Sequence, residues 1–235
     1  MPTIKVMSAG AVQAMVEALG GEYARASGHT LDLNFGTAGA LKERFVGGES
    51  ADLLIVPAAI VAAFDKEGRF LPGTICDLGR TVTGVAIREG APAPDISTPE
   101  AFKQALIKAK TVSYTDPKAG GSSGNFFARL LEQLGIAEEV NKKAVLGKRG
   151  YEVAQAVADG RAEIGTTFIS EILTVKGARV IGPLPGMLHN SNTYTAAIPK
   201  SAAQPDAARA LLKALTDPAS CARWTEAGLE PAFLS

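Results

Sequence analysis

The chain has 235 residues, of which 46% are hydrophobic and 20% are charged. A chain of this length buries roughly 70% of its extended surface on folding, so its core needs no metal or disulfide for stability. Lys and Arg number 24, as do Asp and Glu, and this balance argues against a nucleic-acid-binding protein, which carries a basic excess. No apolar run approaches the roughly 20 residues of a membrane-spanning helix, so we expect no membrane insertion.

Histidine and cysteine are too sparse for most metal chemistry. The chain has only 2 histidines, His29 and His189, so a site built on several His ligands is excluded. Cys76 and Cys221 lie far apart and match no metal or redox spacing. We expect two buried thiols, with a disulfide as the alternative. We therefore predict no metal site. We also predict no cofactor, because the sequence contains no nucleotide-binding loop.

Hydrophobic periodicity predicts short strands that alternate with amphipathic helices from the start of the chain. Strands are predicted at residues 4–7, 31–35, 52–57 and 81–87, and a helix follows each of the first three. The third strand, DLLIVP, is almost continuously apolar, which is typical of a strand buried on both faces of a parallel sheet. This alternation indicates an α/β protein with a mostly parallel sheet.

The second half of the chain continues the pattern. Thr98 can cap a helix that has Pro99 at its first position. Further strands are predicted at 111–114, 162–168 and 193–198, and further helices at 126–135 and 153–160. Two helices separated at Asp217-Pro218 end the chain.

Three predicted strands end in small, hydroxyl-bearing turns that begin helices: residues 8–10 (SAG), 36–39 (GTAG) and 120–124 (GGSSG). Ligands of open parallel sheets bind outside the carboxyl ends of the strands. Free N–H groups at a helix start bind anions, although Ser and Thr are also ordinary helix caps. Three such turns in one chain favour a shared anion site.

The order strand–SAGA–helix, strand–FGTAGAL–helix and then ADLLIVPA resembles the periplasmic molybdate-binding protein family. The resemblance extends over the whole chain, including its PDAARALLKALTDP…GLEP ending. It implies the type II periplasmic-binding-protein fold, with two α/β lobes joined by two crossing strands and a ligand cleft between them. Lobe one would comprise residues 1–83 and 194–235, and lobe two residues 84–193.

The chain differs from that family at residues that determine ligand specificity. Phe168 stands where molybdate binders usually present a tyrosine, and Lys148 and Arg149 precede a helix where an uncharged residue is more usual. A guanidinium suits a planar carboxylate through bidentate pairing. The phrases PDISTPEAFKQAL, SYTDPKAGGSSG and ISEIL…GPLP resemble a branch that includes aconitate isomerase. We therefore predict a ligand with two or three carboxylates.

The predicted substrate-binding residues are Ser8, Ala9, Gly10, Thr37, Ala38, Gly121, Ser122, Ser123, Lys148, Arg149 and Thr167. Two residues are candidate catalytic bases. His189 could shuttle a proton near neutral pH, although a lone loop histidine is more often structural or exposed. Glu171 follows the strand that carries Thr167 and could act as a general base if it is buried beside the ligand, or could cap the following turn.

Three functions are compatible with this site. The first is cofactor-independent cis/trans isomerisation of aconitate by allylic proton transfer, on a solute-binding scaffold. The second is delivery of a small carboxylate or oxyanion to an ABC permease, and a weaker third is cytosolic ligand sensing. For all of them we expect a monomer that binds a small anion and no nucleic acid. The protein would be periplasmic if a signal peptide has been removed, and cytoplasmic otherwise.

Overall fold

The chain folds into two compact units in a computed structural model that describes residues 2–234. The first unit contains the residues up to Arg80 together with those from Asn192 onward, and the second runs from Thr81 to Ser191. No helix within residues 2–234 is both long enough and apolar enough to cross a membrane.

Strands and short helices alternate through most of the described chain. The strands are β1 (Thr3–Ala9), β2 (Thr30–Gly36), β3 (Leu53–Pro57), β4 (Cys76–Arg88), β5 (Val112–Thr115), β6 (Ala144–Gly147), β7 (Ile164–Phe168), β8 (Ala178–Pro183), β9 (Ser191–Ala197) and β10 (Glu230–Pro231). The helices are α1 (Gln13–Ser27), α2 (Ala38–Val46), α3 (Ala58–Lys66), α4 (Pro99–Lys108), α5 (Ser122–Gln133), α6 (Ala137–Asn141), α7 (Gly150–Ala158), α8 (Ile169–Ile172), α9 (Pro205–Leu215) and α10 (Cys221–Glu226).

The sheet of the first unit is built around β1, which pairs in parallel with β2 on one side and with β3 on the other. Strand β9 adds to β3 in the antiparallel direction. Residues 53–56 of β3 are all fully buried, as the continuous apolar run predicts. Ser8 lies opposite Phe35 and Ala9 opposite Gly36, so the turns that follow β1 and β2 begin side by side.

The sheet of the second unit is built around β5, which pairs in parallel with β6 and β7. Strand β4 runs antiparallel to both β7 and β8. The register places Tyr114 opposite Thr166, and Thr115 opposite Gly147. The carboxyl ends of β5, β6 and β7 therefore meet at one edge of this sheet, and the turns after them hold the candidate residues of this unit.

The predicted α/β organisation is confirmed, with differences at the ends of elements. Thr98 caps α4 as predicted and accepts a hydrogen bond from the Ala101 N–H at 3.1 Å. The helix predicted at 126–135 begins earlier, at Ser122, and β4 begins at Cys76. Strands β6 and β8 and helices α6 and α8 were not predicted, because each is only four to six residues long and has little periodicity of its own.

The two cysteines are unpaired, as expected. The prediction that both thiols are buried is wrong, because Cys76 and Cys221 are each partly exposed. Cys76 opens β4 and Cys221 opens α10, so both stand at the start of an element and not within a packed face.

Two adjacent phenylalanines on α5 provide a test of the core of the second unit. Phe127 is fully buried among apolar side chains of α4, α5 and β5, whereas Phe126 packs only partly against them. We expect Phe127→Ala to lower the free energy of unfolding by about 3–5 kcal/mol, because the cavity adds to the lost burial. Phe126→Ala, the matched control, should cost clearly less. Urea unfolding measures both, and equal losses would contradict this description of the core.

Candidate functional site

The two predicted turns of the first unit lie next to each other, and each begins a helix. Ser8 is fully buried at the end of β1, and its hydroxyl donates to the Ala9 carbonyl at 3.3 Å. A short 3-10 helix starts at Gly10 and leads into α1. Thr37 is the N-cap of α2, and its hydroxyl oxygen accepts from the Ala40 N–H at 3.3 Å. Thr37 therefore performs at least the ordinary capping role.

The GGSSG turn of the second unit packs tightly onto the end of β5. Gly124 lies in the first turn of α5, where a Cβ would overlap with the Thr115 carbonyl oxygen. This close approach requires glycine and brings Ser123 against the end of β5. Ser123 is buried, and its hydroxyl oxygen lies 3.4 Å from that of Thr115.

Glu171, on α8, places its carboxylate at the same edge of the sheet. The carboxylate accepts a hydrogen bond from the Thr167 hydroxyl at 2.8 Å, and further hydrogen bonds from the backbone N–H groups of Phe168 and Gly150. Gly150 is the first residue of α7, so the negative charge lies at the positive end of that helix. A Cβ on Gly150 would overlap with the Glu171 carboxylate, so only glycine permits this contact.

Three hydroxyls and this carboxylate form a continuous series, which we call the hydroxyl row: Thr115, Ser123, Thr167 and Glu171. The Ser123 and Thr167 hydroxyl oxygens are 3.5 Å apart, and Thr167 donates to Glu171. All four residues are buried. The structure thus brings together two predicted binding residues, one predicted base and Thr115, which the sequence did not single out.

Burial raises the pKa of Glu171 from 4.5 to about 7, because the charged form loses its hydration. The hydrogen bonds from Thr167, Phe168 and Gly150 act in the opposite direction and stabilise the charged form. A carboxyl with a pKa near neutrality can both accept and return a proton under physiological conditions, which is what general acid–base catalysis requires.

Lys148 and Arg149 lie directly before α7. Lys148 is exposed and Arg149 is half-buried. The Lys148 N–H donates to the Glu152 carboxylate at 2.8 Å. Cations before a helix start oppose its dipole. The negative charge of the Glu171 carboxylate, at the Gly150 N–H, offsets this unfavourable interaction.

His189, the other predicted base, is not part of the hydroxyl row. It is exposed and follows a 3-10 helix at Gly186–Leu188. The next residue, Asn190, donates through its side chain to the Thr83 hydroxyl at 2.9 Å, and Thr83 lies opposite Phe168. His189 therefore lies one residue from a contact with Thr83, which pairs with the end of β7, but its own side chain is exposed.

Two further polar residues escaped the sequence analysis. The hydroxyls of Thr166 and Ser170 are buried, and within residues 2–234 neither has a hydrogen-bond partner. They flank Thr167 and Phe168 in the segment GTTFISE, where only one threonine had been selected. Gly150 was missed as well, since nothing local in the sequence signals that a distant glutamate reaches it.

Two α/β units with helix-starting turns at the carboxyl ends of their strands are the architecture of solute-binding proteins. The chain belongs to the family of bacterial extracellular solute-binding proteins, whose model matches residues 4–230. The resemblance and the type II periplasmic-binding-protein fold predicted from the sequence are thereby confirmed.

Individual relatives are similar over almost the full chain. The sequence is 30% identical to the aconitate isomerase of Pseudomonas sp, in an alignment that covers 97% of this chain and 88% of that protein. The periplasmic molybdate-binding protein of Azotobacter vinelandii has a TM-score of 0.75 at 19% identity, covering 96% of this chain and 98% of that one. The sulfate-binding protein of Mycobacterium tuberculosis has a TM-score of 0.75 at 15% identity, with coverage of 98% and 87%.

The raised pKa of Glu171 predicts a pH-dependent stability. Because folding raises this pKa from 4.5 to about 7, the folded chain holds the proton more tightly than the unfolded chain. The resulting stabilisation is complete below pH 4.5 and is lost as the pH rises through about 7, a change of about 3 kcal/mol. Glu171→Gln should remove this loss, so the variant should gain stability relative to wild type as the pH rises.

Unfolding midpoints measured from pH 5 to pH 8 check this expectation. The exposed Glu139 of α6 provides the control, since Glu139→Gln changes the same chemical group without burial. That control should follow the wild-type profile. If Glu171→Gln also followed it, the burial of a titrating carboxyl at this position would be contradicted.

Proposed function

We propose that this protein is a cofactor-independent isomerase that interconverts cis- and trans-aconitate, an unsaturated tricarboxylate. Support comes from the 30% identity to an aconitate isomerase over nearly the whole chain. The observation that carries the proposal is the buried Glu171 carboxyl, with a pKa of about 7, which accepts a hydrogen bond from Thr167 of the hydroxyl row and lies at the start of α7. We also propose a periplasmic location, in line with the family.

The reaction we propose is an allylic proton transfer. A base removes a proton from the methylene group, and the electron pair spreads through the double bond into a carboxylate to give a dienolate. Return of the proton to the other carbon of the allylic system moves the double bond to the former methylene carbon. The conformation about that bond sets whether the product is cis or trans, and there is no net gain or loss of atoms or electrons.

Each group of the site has a proposed role in these reaction steps. Glu171 holds the proton, and His189 stays the alternative base. The backbone N–H groups of Gly121, Ser122 and Ser123, together with the Ser122 hydroxyl, donate to the negative charge as it develops, which is where oriented donors stabilise a transition state most.

The remaining predicted binding residues keep their proposed role. Arg149 is proposed to pair with a substrate carboxylate, assisted by Lys148. In the first unit we retain Ser8, Ala9, Gly10, Thr37 and Ala38 as proposed substrate-binding residues.

The alternative is a binding protein that delivers a small carboxylate or oxyanion to an ABC permease. The similarity of the fold to molybdate- and sulfate-binding proteins favours it. A protein of this kind would use the same donors for binding and would have no need of a titrating carboxyl beside them.

Ligand selectivity provides a test of the carboxylate site. We expect citrate and aconitate to raise the melting temperature, and molybdate to leave it unchanged, because Arg149 suits a planar carboxylate and Phe168 lacks the tyrosine hydroxyl. A ligand at about 100 times its dissociation constant adds roughly 2.7 kcal/mol of stability. A thermal-shift series with these anions measures it. Strong stabilisation by molybdate with none by tricarboxylates would overturn the ligand assignment.

Turnover separates the two functions. The protein should interconvert the aconitate isomers, resolved by chromatography, and should exchange the allylic hydrogen in heavy water. Arg149→Ala should lower kcat/KM by roughly 10- to 100-fold, partly in kcat, because the charge on the substrate grows in the transition state. Arg149→Lys keeps the charge without the bidentate geometry, so its kcat/KM should lie between those of wild type and Arg149→Ala. Tight binding of aconitate without interconversion or exchange would leave only the binding-protein alternative.

A further inference from the structure

The Glu171 carboxylate is shielded from direct contact with a substrate carbon. It is buried and accepts hydrogen bonds from Thr167, Phe168 and Gly150. A carboxylate offers about four acceptor positions, and these three donors occupy three of them. Because the residue is buried, we consider the path by which a substrate proton would reach Glu171 through one of these partners. The two backbone N–H groups cannot relay it, because an amide nitrogen does not accept a proton at neutral pH.

Thr167 is the partner that can relay a proton. Its hydroxyl donates to Glu171 at 2.8 Å, and its oxygen lies 3.5 Å from the hydroxyl oxygen of Ser123. A hydroxyl can donate one proton while it accepts another. The second distance is long for a hydrogen bond, but catalytic hydrogen bonds often tighten only when the substrate is bound.

Ser123 belongs both to the hydroxyl row and to the turn to which we assign anion binding. It lies in the first turn of α5, where free N–H groups and the positive end of the helix dipole favour a negative charge. The same turn that would stabilise the dienolate therefore holds the hydroxyl that leads to Glu171.

We propose that Ser123 is the catalytic residue that takes up and returns the allylic proton, that Thr167 relays it, and that Glu171 stores it. This inference rests on the proposed isomerase function. As the C–H bond breaks, the Ser123 oxygen gains the substrate proton and passes its own to the Thr167 oxygen. Thr167 in turn passes its proton to the Glu171 carboxylate. The substrate then carries the negative charge as a dienolate, Glu171 is neutral, and every step reverses when the proton returns to the other carbon.

Few charged side chains lie on the elements that pack against α8, the helix that carries Glu171. Among the elements that pack against α8, charged side chains occur on Arg149 and Glu152 at the start of α7 and on Arg179 of β8. Burial is the largest cause of the raised pKa of Glu171. The pH dependence of the relay should therefore follow Glu171 itself.

Thr167→Val tests the relay, because it removes the hydroxyl and nearly keeps the shape. We expect kcat and allylic hydrogen exchange to fall roughly 10²-fold or more, with the affinity for aconitate, measured by calorimetry, changed only a few-fold. Thr167→Ser restores a hydroxyl and should recover most of the activity. Wild-type kcat should rise with pH through about 7 as Glu171 loses its proton, and Glu171→Gln should abolish both this limb and turnover.

Thr166→Val is the matched control. It removes the buried hydroxyl of the neighbouring residue of β7, which has no hydrogen-bond partner within residues 2–234. Successive side chains of a strand point to opposite faces, so this hydroxyl is not part of the hydroxyl row. This variant should keep the pH limb and most of kcat. If Thr167→Val does not fold, Glu171→Gln carries the same test.

The outcomes separate the relay from the function on which it rests. If wild type turns over aconitate and Thr167→Val keeps both its kcat and its exchange, the relay is overturned and the isomerase function stands. If Thr166→Val loses as much as Thr167→Val, the path to Glu171 is likewise overturned. A wild-type protein that neither interconverts nor exchanges aconitate overturns the proposed function, and the relay with it.

Discussion

The contact between the Glu171 carboxylate and the start of α7 is the constraint on which the candidate site of the second unit depends. It ties the turn after β7 to the turn after β6, because the carboxylate accepts hydrogen bonds from Phe168 on one and Gly150 on the other. It also orients Thr167, whose hydroxyl proton is directed at the carboxylate. Ser123 lies at the same edge of the sheet, next to the end of β5. It can do so because Gly124 lets α5 approach Thr115 closely.

Similar turns begin helices in the two units, but the free N–H groups of those helices are capped differently. In the first unit Thr37 caps α2 through its hydroxyl, as a threonine at that position normally does. In the second unit Gly121 precedes α5 without a side-chain cap, and the start of α7 meets a carboxylate from another element. Burying a charge in this way is unfavourable unless donors surround it. Departures from ordinary local rules tend to occur at functional sites, which is consistent with the proposed role of this unit.

The fold was largely predictable from the sequence, whereas the arrangement of the site was not. The apolar run at 53–56 and the caps at Thr98 and Thr37 are local signals, and the structure follows them. Turn composition likewise selected Ser123, whereas Thr167 was selected because it lies beside Phe168 in the segment that the family resemblance singled out. The hydrogen bond from Gly150 to Glu171 depends on how two helices after different strands meet, and periodicity carries no information on that.

The same limit explains the two candidate bases. Sequence reasoning could name His189 and Glu171 but could not rank them, because the difference between them is burial. His189 is exposed, while Glu171 is enclosed by α7, β7 and β8. Thr115 was overlooked because it precedes an Asp-Pro turn that reads as an ordinary loop, and only the pairing of β5 with α5 brings it to Ser123.

The absence of a side chain at position 150 also has a genetic consequence. Since a Cβ there would occupy the space of the Glu171 carboxylate, the two positions cannot vary independently. In a library of double variants, alanine at 150 should be harmful beside glutamate and far less so beside a shorter residue at 171. Such non-additivity is typical of residues in direct contact. Substitutions at positions 150 and 171 are therefore expected to be energetically coupled, although 20 residues lie between them in the chain.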